Sequence, residues 1–265
     1  MRLVAALIAA TVSPACFQTT AVLKVNGNGG GTIEHRTLMT SAGLAQMRQL
    51  SGVLGGNSGA PIEPFSEQEA RDLAGKLGDG VTVQSTAPIK TAAGEGRTTV
   101  YSFRDITQLR FDEILQMPGD PSVRAGGATA AGSPGQVRFD LAPTGSGNVL
   151  LTLHGPEPAL GKLGAAGGSV PSVDQLAMLR QTLAGLRVAV RVEPAGTLVR
   201  TNGRFVEGAS VTIFDLDLDE LLKDDTVFAR LQSVKTSDEL EAALKSTRGL
   251  KLDVGTVTIE FTPAK

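Results

Sequence analysis

The sequence predicts an α+β fold in which a mainly antiparallel β-sheet carries amphipathic helices on it. Short segments rich in Val, Ile and Thr alternate with turns rich in Gly and Asn, which is the pattern of β-hairpins. Leu and Ala recur at helical spacing between several of these segments. Because strands and helices do not alternate regularly as parallel βαβ units would, we expect one α+β domain over residues 16–265.

The first elements after the N-terminal segment are a hairpin and a helix. Thr19 to Met39 predicts a β-hairpin, because two β-branched and aliphatic runs flank Asn26 to Gly31, where positive φ is tolerated. Ser41 is a candidate N-cap for a helix that ends before Gly55. The apolar positions of this predicted helix are Leu44, Met47 and Leu54.

A second helix and two strands come next. Ser66 and Glu69 have capping-box spacing, and Gly78 stands where a C-terminal glycine cap would. Val81 to Val83 and Arg97 to Phe103 are predicted strands, and we expect Gly94 and Gly96 to mark the turn between them.

The middle of the chain predicts one hairpin between two low-complexity loops. Val137 to Leu141 and Asn148 to His154 are its strands. The loops, at 118–135 and 155–170, consist mostly of Gly, Ala, Pro and Ser. We expect both to be disordered surface insertions, because few large apolar side chains offset their ordering entropy.

The third predicted helix leads into a strand. Ser172 and Gln175 can form a capping box, and a strand with one buried and one solvated face follows, in which valines alternate with polar residues. The helical stripe consists of Leu176, Leu179, Leu183 and Leu186, and the valines of the strand are Val188, Val190 and Val192.

The C-terminal part predicts three strands and two helices. Thr197 to Thr201 and Ser210 to Asp215 are expected to pair with each other across turns at Asn202-Gly203 and Glu207-Gly208. Helices follow around Leu221 to Leu231 and from Thr236 to Gly249. Val257, Ile259 and Phe261 form the last predicted strand.

Composition excludes several classes of function. The 25 basic and 27 acidic residues form no long block of either sign, so the chain lacks the electrostatic footprint of a nucleic-acid-binding protein. The chain has no Trp and one Tyr, so its core is aliphatic. Cys16 is the sole cysteine, which excludes an internal disulfide and a thiolate metal cluster.

The N-terminus predicts an export signal over residues 1–15. Arg2 provides a positive charge, and the apolar run from Leu3 to Val12 is too short to span a bilayer. The segment Val12 to Cys16 resembles the lipobox of bacterial lipoproteins, in which the cysteine after the cleavage site is acylated. It departs from that pattern in having Ser13 three residues before the cysteine. Ser13 and Ala15 also fit ordinary secretory cleavage, so a soluble secreted product and a buried N-terminal helix are the alternatives.

Several segments together resemble a family of bacterial lipoproteins. The segments that carry the resemblance are the hairpin Thr20 to Thr37, the strand Gly96 to Asp105, the turns Pro194 to Gly196 and Thr201 to Gly203, and the strand Gly208 to Phe214. These resemble the LppM-type lipoprotein domain, and still more a group of lipoproteins with an Asn-Gly-rich first hairpin and a late Asp-Leu-Asp-Leu-Asp segment. The resemblance implies a lipid-anchored envelope protein with a groove for lipid-like ligands, and it supplies no catalytic residues. The C-terminal membrane helix usual in LppM-like proteins is not found in this sequence.

Three groups of residues are candidate metal or catalytic sites, and each has a simpler structural explanation. Asn26, Asn28 and Gly31 echo the start of a calcium loop, but Thr37 stands where the closing Glu is required, so a hairpin turn is preferred. The two histidines, His35 and His154, lie in separate predicted strands and suggest no zinc site.

The third group is a series of alternating aspartates. Asp215, Asp217 and Asp219 would share one face of an extended chain, where they could hold a hard cation, but strand alternation and capping by Asp219 and Glu220 explain them as well. We therefore predict no metal site and no cofactor.

The sequence favours a non-enzymatic binding module over an enzyme. It contains no Gly-x-Ser-x-Gly elbow, and an acylated Cys16 cannot act as a nucleophile. The first hypothesis is therefore an envelope protein, anchored at the membrane through Cys16, that binds an envelope partner or a hydrophobic ligand in a cavity between helix and sheet. The alternative is a soluble secreted enzyme that uses Asp215, Asp217 and Glu220.

Overall fold

A computed structural model describes residues 17–45, 65–111, 114, 137–145, 147–155, 172–234, 236–253 and 255–264. The predicted signal peptide, Cys16, residues 46–54 of the first predicted helix, the loop at 118–135 and all of the loop at 155–170 except Gly155 lie outside the described residues.

The described residues form two β-sheets and several helices, as the predicted α+β class requires. The strands are β1 Phe17–Val25, β2 Gly31–Thr40, β3 Thr82–Thr91, β4 Gly94–Phe103, β5 Arg138–Pro143, β6 Val149–His154, β7 Arg187–Pro194, β8 Gly196–Thr201, β9 Val206–Glu207, β10 Ser210–Asp217, β11 Leu250–Leu252 and β12 Thr256–Pro263. The helices are α1 Glu67–Leu77, α2 Val173–Thr182, α3 Leu218–Leu221, α4 Val227–Gln232 and α5 Ser237–Ser246, and Ile106–Gln108 forms a 3₁₀ turn.

The larger sheet has eight strands in the order β11-β10-β7-β1-β2-β4-β3, with β9 paired to β10. The smaller sheet has four strands in the order β5-β6-β12-β8. β1 and β7 pair in parallel, whereas the other pairs are antiparallel. The prediction of a mainly antiparallel α+β fold is therefore confirmed.

The first hairpin forms where the Asn-Gly run predicted it. Asn26 N–H donates to Gly30 O at 2.8 Å, and the Asn28 side chain accepts from Gly30 N–H at 3.1 Å. Gly29 takes φ +86°, a conformation that favours glycine. The helix predicted from Ser41 also begins there, since residues 41–45 are helical.

Capping boxes fix the starts of α1 and α2, both of which were predicted. At α1, Glu69 N–H donates to Ser66 Oγ at 3.2 Å, and Ser66 N–H donates to the Glu69 carboxylate at 2.6 Å. Ser172 and Gln175 make the same reciprocal bonds at α2. Each box satisfies two amides that the helix itself leaves without partners.

The turn expected at Gly94 and Gly96 lies elsewhere. Ala92 and Ala93 form the turn, and both glycines belong to β4. A Cβ at Gly96 would lie 2.0 Å from Thr37 O, so this glycine permits the close approach of β2.

The expected pairing of Thr197–Thr201 with Ser210–Asp215 is wrong. β8 pairs with β12 in the small sheet, whereas β10 pairs with β7, β9 and β11 in the large one. The Asn202 side chain explains the divergence, because it donates to Thr256 O at 2.9 Å and accepts from Thr258 N–H at 2.6 Å. These bonds hold the chain beside β12 instead of turning it back.

β7 also departs from the predicted pattern of one buried and one solvated face. Ala189, on the face expected to be solvated, is 2% exposed, and Arg191 is partly buried. β7 lies between β1 and β10 in the middle of the sheet, so its neighbours cover more of that face than strand alternation alone suggests.

The two sheets share one apolar core. Leu23, Ile33 and Tyr101 of the large sheet belong to the same buried cluster as Ile259 and Phe261 of the small one, and each is at most 1% exposed. A second cluster joins Phe17 to residues of α3 and α4 and to the segments that precede β7: Leu186, Leu218, Leu221, Leu222 and Val227.

Within the described residues, no helix has the length and apolar character needed to cross a membrane.

Candidate ligand-binding cavity

An apolar cavity of about 400 Å³ lies between the two sheets. Its volume falls in the range of ~300–1,000 Å³ that is usual for small-molecule sites. Strands β7, β10 and β11 of the large sheet and β5, β6 and β12 of the small one contribute to its walls. The lining residues include Leu23, Phe139, Leu153, Val188, Val190, Val192, Ile213, Phe214, Leu216, Leu252 and Val257.

The local structure of β7 and β10 explains why so many apolar side chains line this cavity. Alternation along β7 directs Val188, Val190 and Val192 to the same side. In β10 the pairing register shifts between Thr212 and Phe214, as at a β-bulge. Both Ile213 and Phe214 therefore line the cavity although they are consecutive residues.

The described lining residues include one ionisable side chain, that of Asp253. It is 6% exposed, and it accepts hydrogen bonds from the backbone N–H of Arg204 at 3.1 and 3.3 Å. Arg204 Nε lies 3.2 Å from the same carboxylate. Burial raises the pKa of Asp253 above its ordinary value, and the bonds from Arg204 oppose that rise.

A polar pocket of about 540 Å³ adjoins the apolar cavity and shares Asp253 and Val257 with it. Its charged side chains neutralise each other: Glu241 lies 3.1 Å from Lys245 Nζ and 3.4 Å from Arg204 Nη1. The ion pairs with Lys245 and Arg204 lower the pKa of Glu241. A ligand that extended from the cavity into this pocket would pass from an apolar surface to a hydrogen-bonding one.

The carboxylates proposed for the alternative enzyme line a separate cleft of about 350 Å³. Asp215 is 6% exposed and accepts from Arg187 at 3.2 and 3.3 Å, an interaction that raises the pKa of Arg187. Asp217 is the N-cap of α3 and accepts from Glu220 N–H at 3.1 Å, while the Glu220 side chain contacts Lys223. Asp215, Asp217 and Glu220 thus share a cleft, but each has a structural partner.

The three alternating aspartates do not converge on one point. Asp219 is not among the residues that line the cleft, and its side chain accepts from Gly185 N–H at 2.9 Å. The N-cap of α3 is Asp217, whereas Asp219 or Glu220 was expected to cap the helix. Among the described residues, no group of three or more His, Cys, Asp or Glu side chains is placed to hold a metal ion.

The two histidines lie in different sheets and have different surroundings. His35 is buried in β2, where its Nε2 lies 2.9 Å from Thr19 Oγ1, and burial lowers its pKa to about 4. His154 is partly exposed at the end of β6, with Nε2 2.8 Å from the Asp140 carboxylate. The structure therefore does not bring the two histidines together.

Sequence reasoning did not place the cavity where it lies. The ligand-binding hypothesis required an apolar cavity between helix and sheet, whereas the observed cavity lies between two sheets. The valines of β7 were predicted to lie on the buried face of a strand, and they do line the cavity. One signal in the sequence could have revealed the site. The number of predicted strands with an apolar face is larger than a single sheet covered by helices requires, which indicates a second sheet.

Comparisons with known proteins give weak structural similarity only. No family model and no curated protein matches the sequence. The NMR structure of the folded domain of the Mycobacterium tuberculosis LppM protein is similar over 94% of each chain, with 13% sequence identity and a TM-score of 0.32. No inference about a fold family, a ligand or a partner follows from a similarity at that level.

Proposed function

We propose that this protein is an exported component of the bacterial cell envelope that binds a lipid-like ligand and is anchored to a membrane through acylated Cys16. It is a binding module and not an enzyme. The single observation that carries the ligand proposal is the apolar cavity between the sheets, whose described walls contain one ionisable side chain. Hydrophobic burial would supply most of the binding free energy.

The arrangement of the cavity indicates an amphipathic ligand. An acyl or similar apolar chain would occupy the space over β7 and β10, and a polar group would lie near Asp253, where the adjoining pocket offers donors and acceptors. Because Asp253 and Arg204 already bond to each other, the ligand does not need to neutralise either of them.

Lipid extraction of the natively purified protein tests the ligand proposal. We expect mass spectrometry to find a co-purified lipid at close to one molecule per chain, since a chain buried in this cavity is released slowly in water. A protein that carries no lipid after mild purification, and that takes up none from vesicles, would contradict the proposal.

The anchor is tested with Cys16→Ser. Cys16 follows the apolar run and is the sole cysteine, so this change should abolish acyl labelling and release the protein from membranes. Ser85→Ala, which removes one small polar group at an exposed position of β3, should leave labelling and membrane association unchanged. Unaltered membrane association of Cys16→Ser would overturn the lipoprotein proposal without affecting the cavity.

A further inference from the structure

The first strand begins immediately after the residue proposed to carry the acyl anchor. Phe17, the first residue of β1, directly follows Cys16. Phe17 pairs with Met39 of β2, and its side chain is 7% exposed within the second apolar cluster. One residue of extended chain spans at most about 3.6 Å, so the packed domain begins within a few ångströms of the anchored cysteine.

The strand register identifies which other segments lie at this end of the large sheet. Gln18 pairs with Arg187, so the parallel strand β7 begins beside the start of β1. Asp217, the last residue of β10, pairs with the same Arg187. We call this end of the sheet, with Phe17, Arg187 and Asp217, the anchor end.

The turn between β3 and β4 also belongs to the anchor end. Thr40, the last residue of β2, pairs with Gly94 at the start of β4. Ser41 then donates from its backbone N–H to Ala93 O at 3.0 Å and from its Oγ to Ala92 O at 2.9 Å. These bonds fix the Ala92-Ala93 turn beside the end of β2.

The opposite, distal end of the sheet carries the turns that follow β1 and precede β10. β1 ends at Val25 beside Pro194, and the turn at 26–30 follows. Val211 at the start of β10 pairs with Val192, so the turn at Gly208 and Ala209 lies at the distal end. The nine residues of β1 separate the two ends by about 26 Å at the usual rise of ~3.3 Å per residue.

We infer that the anchor end is the surface that rests on the lipid bilayer, with the strands of the large sheet directed away from it. This inference rests on the proposed acylation of Cys16. The anchor end contacts the layer of lipid headgroups. The covalent anchor holds this end of the domain against the bilayer whatever charges its side chains carry. A paired and buried Phe17 leaves no free segment between anchor and domain that could act as a flexible tether.

The orientation also has a consequence for the cavity. Leu186 and Val188, at the start of β7, line the part of the cavity nearer the anchor end. Asp253 lies near the middle of the sheet in this direction, since its N–H donates to Ile213 O at 3.0 Å and the residues on either side of Ile213 pair with Val190 and Arg191. The lining of the cavity therefore begins with apolar residues near the anchor end and includes Asp253 and Val192 farther from the bilayer.

Two matched cysteine variants test the orientation. Ala92→Cys and Ala209→Cys each replace an exposed alanine in a two-residue hairpin turn, one at each end of the sheet. Because the thiol of an acylated Cys16 is blocked, the introduced cysteine is the one thiol available to a fluorescent label. The labelled full chains are placed in phosphatidylcholine vesicles that contain a lipid with a nitroxide on its headgroup, and fluorescence quenching is measured.

We expect quenching at Ala92→Cys to exceed quenching at Ala209→Cys several-fold. Equal quenching of the two labels on membrane-bound protein would overturn the orientation and leave the anchor intact. A free, labelled thiol in the unsubstituted chain together with soluble protein would overturn the acylation of Cys16, and the orientation with it.

Discussion

The inner face of the large sheet, which packs against the small sheet, has two contrasting parts. Over β7 and β10 it is apolar and borders an open cavity. Over β1, β2 and β4, near the anchor end, the same face carries a group of buried polar residues: Thr19, His35, Thr37, Arg97 and Thr99. We call the first part the cavity half and the second the polar half.

The buried polar side chains of the polar half form hydrogen bonds. Arg97 Nε donates to Phe65 O at 2.6 Å, and its Nη1 donates to Thr86 Oγ1 at 2.9 Å. Thr19 and His35 bond to each other. Buried polar groups are costly unless they are paired, so this half is fixed by directional bonds, whereas the cavity half keeps space that a ligand can fill.

The largest expected effects come from truncating the two inward leucines of β6. Leu151 is fully buried in the shared core away from the cavity lining, and Leu153 is 3% exposed and lines the cavity. Leu→Ala changes in cores cost ~2–5 kcal/mol of unfolding free energy, and the cost depends on the contacts that are lost. Leu151→Ala should fall in the upper part of that range and Leu153→Ala in the lower part, because one side of Leu153 already faces empty space.

Urea denaturation of both leucine variants in the lipid-free protein measures this difference. Equal losses would show that the cavity closes in solution, and the contrast between the two halves would then disappear.

The next effect concerns pH and the polar half. Burial lowers the pKa of His35 from 6.5 to about 4 in the folded protein. The unfolded chain protonates near pH 6.5, so the contribution of neutral His35 is present above that pH and is lost as the pH falls towards 4. The loss amounts to about 3 kcal/mol at an energy of ~1.36 kcal/mol per pKa unit.

Melting curves between pH 7 and pH 4 test this dependence. His35→Gln should remove most of it, because the amide can bond to Thr19 without titrating. His154→Gln, at a partly exposed histidine, is the matched control and should keep the slope. An unchanged slope in His35→Gln would assign the acid sensitivity to other groups.

The smallest expected effect is that of divalent cations. Asp215, Asp217 and Asp219 have separate partners, so calcium or magnesium should leave the melting temperature unchanged. Thermal melts with each cation measure this directly. A saturable rise that is lost in Asp217→Asn would show that the cleft binds metal after all.

Local signals in the sequence predicted much of the fold. The Asn-Gly run gave the first hairpin, and the pairs Ser66/Glu69 and Thr236/Glu239 gave the starts of two helices, because turns and caps depend on residues close together in the chain. Partners of β8 and β10 were mispredicted, since pairing with β12 depends on Asn202 meeting a strand more than 50 residues away.

The cavity was beyond local signals for the same reason. Its walls come from residues as far apart in the chain as Leu23 and Val257, and apolar residues that face a gap cannot be distinguished by pattern from those that face a packed core. Asp253 is an example, because nothing in its immediate sequence indicates that it lies at an apolar wall beside Arg204.

The central claim is that the cavity half binds an apolar chain, and titration of a fluorescent long-chain fatty acid into delipidated protein tests it most directly. Val188→Phe places a larger side chain in the cavity, whereas Val199→Phe makes the same change at an edge-strand residue that is 50% exposed. We predict saturable binding by the unsubstituted protein and by Val199→Phe, and a loss of at least tenfold in affinity, about 1.4 kcal/mol, in a folded Val188→Phe. Equal affinity in all three proteins, or no saturable binding in any of them, would contradict the account.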